Sequence, residues 1–283
     1  MEARVRPARP EDRAPLMSFI KDVWGGHDYV PLVWDQWLRN RQGRMFVVEV
    51  SGVPVGMNRV RFLKDGSAWF EGARVHPAFR GRGLASMLGE NSMKLALARG
   101  ARVFRLTSGT RNKAAHRQIQ RMRFTERARF SVYEPPGGRR PMPSGAAYRM
   151  RPGDLPTVIR LLRHQREFRL GAGVFWHDFT ATSLTRGVVS QLLAEGAVWR
   201  FCGALAVARL GGEGEGDWEE ICYLGGPGGE SVKLVKVLLG RRKKATERFV
   251  FVPQGSPVIT ELRRAGYGRN FAMILFERRA ANG

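Results

Sequence analysis

Apolar and polar positions along the first 133 residues switch between two periods, and each switch marks an element. A short alternating stretch around Arg4 predicts a strand, and from Pro10 the spacing turns helical. Glu11 and Asp12 stand in the first turn, where carboxylates complement the helix dipole, and Gly25-Gly26 closes the segment. Trp34 and Trp37 predict a second short helix with both rings in the core. Residues 45–50, 55–63 and 68–75, separated by the turns Ser51-Gly52-Val53-Pro54 and Lys64-Asp65-Gly66, read as three antiparallel strands joined by hairpins. Leu84, Met87, Leu88, Leu95 and Ala98 share one helical face; a strand over 102–107, a helix over 112–122 and a strand over 127–133 follow. The predicted order is β-α-α-β-β-β-α-β-α-β.

Residues 134–145 are rich in proline and glycine and hold neither a helix nor a central strand, so they read as a linker. The chain of 283 residues therefore divides into about two domains, taken as 1–140 and 141–283. The halves echo each other: the segment from Arg4 to Asp12 resembles that from Arg149 to Asp154, and Gly26-His27-Asp28-Tyr29 resembles Trp176-His177-Asp178-Phe179. In the second half, residues 197–210, 218–224 and 248–252 read as strands.

Composition narrows the class. With 43% hydrophobic and 26% charged residues the chain is globular, which excludes disorder and fibres. The longest apolar stretches, 201–208 and 271–276, fall far short of a membrane span, and the N-terminus has no apolar signal core, so a soluble protein without a membrane partner is expected. Cys202 and Cys222 lie in apolar segments and make no disulfide framework, which fits a reduced, cytoplasmic setting. The five histidines show no metal-ligand spacing, so no metal is expected. The net charge of +23 is abnormal, and only eight of the 48 basic residues are lysine. Arginine coding bias and recognition of phosphate by the guanidinium fork both account for that skew. Residues 99–130 carry ten basic residues against Glu126 alone, a run suited to phosphates, to solvent or to a nucleic-acid backbone.

The segment from Val75 to Ser86 carries chemistry. A strand ends, Arg80-Gly81-Arg82-Gly83 makes a turn, and Leu84-Ala85-Ser86 opens an amphipathic helix. The start of a helix leaves backbone N–H groups unpaired and favours an anion. Glycines remove the side chains that would keep a pyrophosphate away. The turn is neither a Walker loop nor a dinucleotide turn.

Arg80-x-x-Gly83-x-Ala85, at this place in this element order, resembles the acetyl-CoA pyrophosphate signature of the GNAT superfamily of N-acetyltransferases. Residues 25–31, Trp37-Leu38 and Glu71-Gly72-Ala73-Arg74-Val75 are similar to the histidine N-acetyltransferase-like group, whose second half is a degenerate GNAT-like domain. The resemblance implies an α/β fold of tandem GNAT-like domains, each a mixed, mostly antiparallel sheet flanked by helices. It implies acetyl-CoA as co-substrate, held by Ala73, Arg74 and Val75 along the strand, by Arg80 to Ser86 at the turn, and by Asn112. It implies a primary amine of a small molecule or amino acid as acceptor; a protein amine or an RNA base is the variant.

Transfer to an amine needs a neutral nitrogen, and Glu71 stands where similar enzymes often place a general base. The other reading of Glu71 is a carboxylate paired with an arginine. The family's acid is a tyrosine; here that position is Ile119, and the glycine after it is Arg123. The thiolate then leaves unassisted, or Tyr29 or Tyr133 reaches in, Tyr29 being preferred. His27, Asp28 and Tyr29 form a polar, glycine-opened loop suited to gripping the acceptor, although Asp28 reads equally as a helix cap. Leu224-Gly-Gly-Pro-Gly-Gly229 holds the cofactor position of the second half, without arginine and with a proline that removes a donor. That half is expected to bind no acetyl-CoA and to cover the acceptor site or a sheet edge. A nucleic-acid-binding or regulatory protein on a GNAT scaffold is the alternative reading, supported by the charge and the missing tyrosine.

Overall fold

The structure, a computed structural model, describes residues 2–137, 147–211, 218–239 and 247–280; residues 138–145 of the expected linker lie outside them. The chain forms two compact units. The first comprises Met1–Leu106, Asn112–Thr125 and Phe276–Gly283, the second Thr107–Arg111 and Glu126–Leu275.

The elements up to the linker are β1 (Ala3–Pro7), α1 (Arg13–Ile20), α2 (Val30–Arg39), β2 (Gly43–Val50), β3 (Val53–Phe62), β4 (Ala68–Val75), α3 (Leu84–Ala98), β5 (Val103–Gly109), α4 (Lys113–Arg121) and β6 (Thr125–Glu134). This is the order the sequence periods predict. The first helix is shorter than its expected run, because Pro10–Asp12 and Val23–Gly26 are 3-10 turns and Gly25 and Gly26 are left-handed, at φ +67 and +92. Strands β1 to β4 pair antiparallel in sequence order, and β5 joins β4 in parallel. Alternation along β3 sends Met57 to the core of α1 and α2, with Trp34 and Trp37, while Asn58 Nδ2 donates to Ser92 Oγ on α3 at 2.9 Å.

The second unit adds β7 (Tyr148–Arg149), α5 (Leu155–His164), α6 (Arg166–Leu170), β8 (Val174–His177), β9 (Thr180–Ser183), α7 (Arg186–Ala194), β10 (Val198–Phe201), β11 (Ala204–Gly211), β12 (Trp218–Gly225), α8 (Gly228–Leu239), β13 (Glu247–Pro253), α9 (Val258–Arg264) and β14 (Gly268–Arg279). Its strands run β6-β13-β12-β11-β10-β7. One core lies under α8 and α9, the other under α5 and α7. The single strand expected over 197–210 is a hairpin, turned at Cys202, which sits at φ +49. One echo between the halves folds alike: Arg9 N–H and Arg151 N–H donate to Asp12 and Asp154 at 2.7 and 2.8 Å, each ahead of a proline-led 3-10 turn. The other echo does not. Residues 26–29 lead into α2, whereas residues 177–180 are a hairpin turn.

Two buried carboxylates fasten the first unit. Asp12 is bonded by Arg6 at 2.7 and 2.8 Å, and Glu277, near the end of β14, by Arg105 at 2.9 Å. Arg105 also meets Asp65 at 2.7 Å. This arginine of the basic run is therefore committed to the core. Desolvation opposes ionisation of both acids, but the arginine hydrogen bonds and charges win and hold Asp12 and Glu277 below the ordinary carboxylate range. A depressed acid stabilises the fold above its unfolded pKa and loses that contribution as pH falls through the folded one. Thermal midpoints followed by circular dichroism should hold from pH 7 to about 5 and fall below about 4, the unfolded carboxylate range. In Asp12→Asn with Glu277→Gln the midpoint at pH 7 drops and the acid slope flattens; an unchanged slope refutes the assignment.

Candidate active site

Strand β4 is kinked where the site begins. Its register against β3 passes from Glu71↔Arg59 to Arg74↔Met57, so Gly72 and Ala73 form a bulge opposite Asn58. Gly72 is at φ +65, and a Cβ there would stand 2.7 Å from the Trp37 ring, so only glycine fits. Pairing of β4 with β5 covers Ala68↔Phe104 and Trp69↔Arg105. Beyond Trp69 the two strands part, and the β4 edge from Phe70 to Val75 is left to other partners.

The bulge collects side chains from three places in the chain. Glu71 Oε1 accepts from Arg59 Nη1 at 2.5 Å, and Oε2 lies 3.4 Å from Arg61 Nη2. Arg59 is 1% exposed; its Nε and Nη2 have no hydrogen-bond partner among the described residues, and its guanidinium sits 4.9 Å over the Trp37 ring. Tyr29 packs edge-on against Trp37 at 5.7 Å, and its hydroxyl meets the Gly72 N–H. The residue is 38% exposed, but the hydroxyl end is enclosed: desolvation, and then the Glu71 charge, push its pKa up to about 12. Asp28, 6% exposed, accepts from Arg74 Nε and Nη2 at 2.6 and 3.1 Å and from the Val30 N–H at 2.9 Å. Both sequence readings of Asp28 thus meet a carboxylate already engaged with the Val30 N–H and with Arg74; the N-cap residue of α2 is Tyr29. His27 is exposed.

The turn after β4 is open. Arg80 Nε donates to Val75 O at 3.2 Å, and Arg82 lies 5.3 Å over the Phe79 ring. Gly81 and Gly83 are both at φ +80, and a Cβ on either would meet nothing within 4 Å. The first bond of α3 runs from Met87 N–H to Gly83 O at 3.1 Å, which leaves the amides of Leu84, Ala85 and Ser86 ahead of it. No acidic residue stands in that first turn. Leu84 itself is core, and Ser86 Oγ accepts from Gln118 Nε2 at 2.7 Å, tying α3 to α4. Asn112 caps α4 through the Ala115 N–H at 3.1 Å. Ile119 is buried, and Arg123 adopts φ +61, the left-handed conformation for which a glycine is suited. Tyr133 is fully buried in the core of the second unit, so it does not join the Glu71 cluster.

The corresponding turn of the second unit is filled. A Cβ on Gly226 would stand 2.6 Å from Gly203 O, on Gly225 2.5 Å from Gln165 Oε1, and on Gly228 2.8 Å from Glu261 Cγ. Its own carboxylates take the donors there: Glu167 accepts from the Gly226 N–H at 3.2 Å and Glu230 from the Gly203 N–H at 2.7 Å.

A kinked, parted strand is followed by an arginine- and glycine-lined helix start, and residues 13–124 match the family model described as Acetyltransferase (GNAT) family. The chain is 32% identical over 82 residues to a histidine N-acetyltransferase of Oreochromis niloticus, covering 29% of this chain and 24% of that protein. It is 34% identical over 142 residues to an uncharacterized N-acetyltransferase of Methanocaldococcus jannaschii, covering 44% and 61%. The chain thus matches under two thirds of the length of these relatives. In fold, 98% of the chain superposes on 95% of a GCN5-related N-acetyltransferase from Sphaerobacter thermophilus, with TM-score 0.62 and 16% identity. The α/β class expected from the sequence, a mixed and mostly antiparallel sheet with helices, is this fold.

Proposed function

We propose that the protein is an acetyl-CoA-dependent N-acetyltransferase acting on the primary amine of a small molecule, in particular the α-amine of an amino acid of the histidine type. The observation that carries this reading is the bulge at Gly72, where Glu71 and Tyr29 meet on the strand that leads into the open Gly81–Gly83 turn. Bound acetyl-CoA supplies the acetyl group as an activated thioester. The residues present fit it: the amides at the start of α3 with Arg80 and Arg82 suit a pyrophosphate, and the β4 edge around Ala73–Val75, beyond the pairing with β5, suits the pantetheine arm as an added strand.

An α-ammonium group, with a pKa near 8, must lose a proton before its nitrogen attacks. Glu71, paired with Arg59 and Arg61, takes that proton directly or through a water. Tyr29 holds its own proton throughout the neutral range. A thiol titrates near ~8.5, so Tyr29 supports a departing thiolate by donating a hydrogen bond rather than by surrendering the proton. Asp28 positions Arg74 and the start of α2, and His27, exposed on the same loop, is available to the acceptor. The second unit, whose cofactor turn is closed and lined with its own carboxylates, binds no acetyl-CoA.

The test is acetyl-CoA with a panel of free amino acids, polyamines and peptide amines, scored by thiol release and by the mass of the acetylated product. Turnover is expected with α-amino acids, histidine among the best; a panel that yields neither thiol nor acetylated amine overturns the proposal.

A further inference from the structure

Three reactive side chains meet in the second unit, apart from any role in acetyl transfer. His177 ends β8, while Glu220 and Cys222 stand two residues apart on β12. His177 Nδ1 is 3.1 Å from Glu220 Oε2, and Cys222 Sγ is 3.7 Å from the same oxygen. One donor atom from each residue lies within 4.8 Å of the others. In a tetrahedral site with metal bonds of about 2.0–2.3 Å, neighbouring ligand atoms are separated by roughly 3.2–3.8 Å. Two edges of such a site therefore already have close to the required length.

Burial makes the cluster unusual. Glu220 is 0% and Cys222 1% exposed, yet Glu220 Oε1 has no hydrogen-bond partner among the described residues. A buried carboxylate oxygen left without a donor or cation is costly. The backbone is shaped to bring the three together. The β8–β9 turn places Asp178 at φ +49 and Phe179 at φ +51, conformations that non-glycine residues rarely adopt, and the Asp178 N–H donates to Glu220 Oε2 at 3.1 Å. On β12 the register slips opposite Val207 and Ala208, so Cys222 and Tyr223 both face the core under α5 and α7. The backbone of Arg209 hydrogen-bonds the Cys222 sulfur. Turn, bulge and outer hydrogen bonds together orient the donor set, as supporting contacts do around metal ligands.

We propose that His177, Glu220 and Cys222 bind one divalent transition-metal cation of the zinc type, clamping the β8–β9 hairpin onto β12. Imidazole, carboxylate and thiolate form the mixed nitrogen, oxygen and sulfur set that zinc accepts, and the thiol proton leaves to solvent as the sulfur binds. The His177 side, 32% exposed, is the side on which the metal enters and on which water completes the coordination.

The experiment uses full-length, tag-free protein stripped with a chelator and titrated with Co²⁺ as the optical probe. One Co²⁺ per chain, a thiolate-to-cobalt absorption band, loss of that band on adding Zn²⁺, and a raised thermal midpoint are expected. Cys222→Ser removes the band, and His177→Gln, at a partly exposed position, weakens Co²⁺ binding by about tenfold or more. Cys202→Ser, at the exposed thiol, leaves the band intact. Unchanged acetyl-CoA affinity in His177→Gln shows that the variant is folded. No stoichiometric binding by the wild-type chain, binding without a thiolate band, or undiminished binding by His177→Gln each overturns the proposal.

Discussion

Gly83→Glu will weaken acetyl-CoA binding by a factor of about one hundred or more while the protein stays folded. A Cβ at Gly83 enters open space, so the substitution forces no clash. The residue sits at φ +80, where a side chain costs about 1–2 kcal/mol, and the thermal midpoint should drop by a few degrees only. What changes is the field: a carboxylate is set at the start of α3, ahead of its first helical bond and next in sequence to Arg82. Two like charges about 4 Å apart repel by roughly 4 kcal/mol at the effective dielectric of a protein surface, enough for the predicted loss. Gly83→Ala carries the same backbone strain without the charge and should bind within severalfold of wild type. Calorimetry on the three proteins decides it; equal affinities for Gly83→Glu and wild type would show that the anion binds elsewhere.

Glu71→Gln is expected to lower kcat by about 10²–10⁴ with acetyl-CoA affinity unchanged, the usual range for loss of a positioned base. The structure makes this variant ambiguous by itself, because Glu71 also neutralises Arg59, which is 1% exposed and reaches no other carboxylate in the described ion pairs. Removing one partner of a buried ion pair costs about 3–5 kcal/mol. Arg59→Met together with Glu71→Gln removes both charges, and its midpoint should recover most of the way. Its turnover should not. Recovery of both quantities would reduce Glu71 to a structural counter-ion, the reading that its contact with Arg59 already makes concrete.

Much of the cofactor turn was legible because its physics is local. A strand, two glycines flanked by arginines and the first turn of a helix lie within twelve consecutive residues, and each residue type states its own backbone requirement. Glu71 was legible in position but not in company. Its partner Arg59 lies on the neighbouring strand, in a segment read only as a strand, and the signal available was the pair Arg59 and Arg61 flanking Val60. Asp28 and Arg74 are 46 residues apart, and no local period connects them. The closed turn of the second unit was suggested by its missing arginine, yet the carboxylates that fill it come from α6 and α8. The histidine, glutamate and cysteine cluster escaped a search for ligand spacing altogether. His177 and Glu220 are 43 residues apart, and the two come together only through a hairpin turn and a register slip.

The discontinuity of the two units sets an order of events for a chain made from its N-terminus. The ribosome delivers β1 to α4 early, but Phe276–Gly283 belongs to the same unit and arrives more than a hundred and fifty residues later. Until then Arg105 lacks Glu277, and the edge at Arg102 lacks the Ala280 N–H that meets it at 2.9 Å. Such late, long-range closure slows folding and leaves a strand edge exposed to other nascent chains. Closure by β14 thus ties the completion of the unit that carries the Gly81–Gly83 turn to the synthesis of all the residues in between.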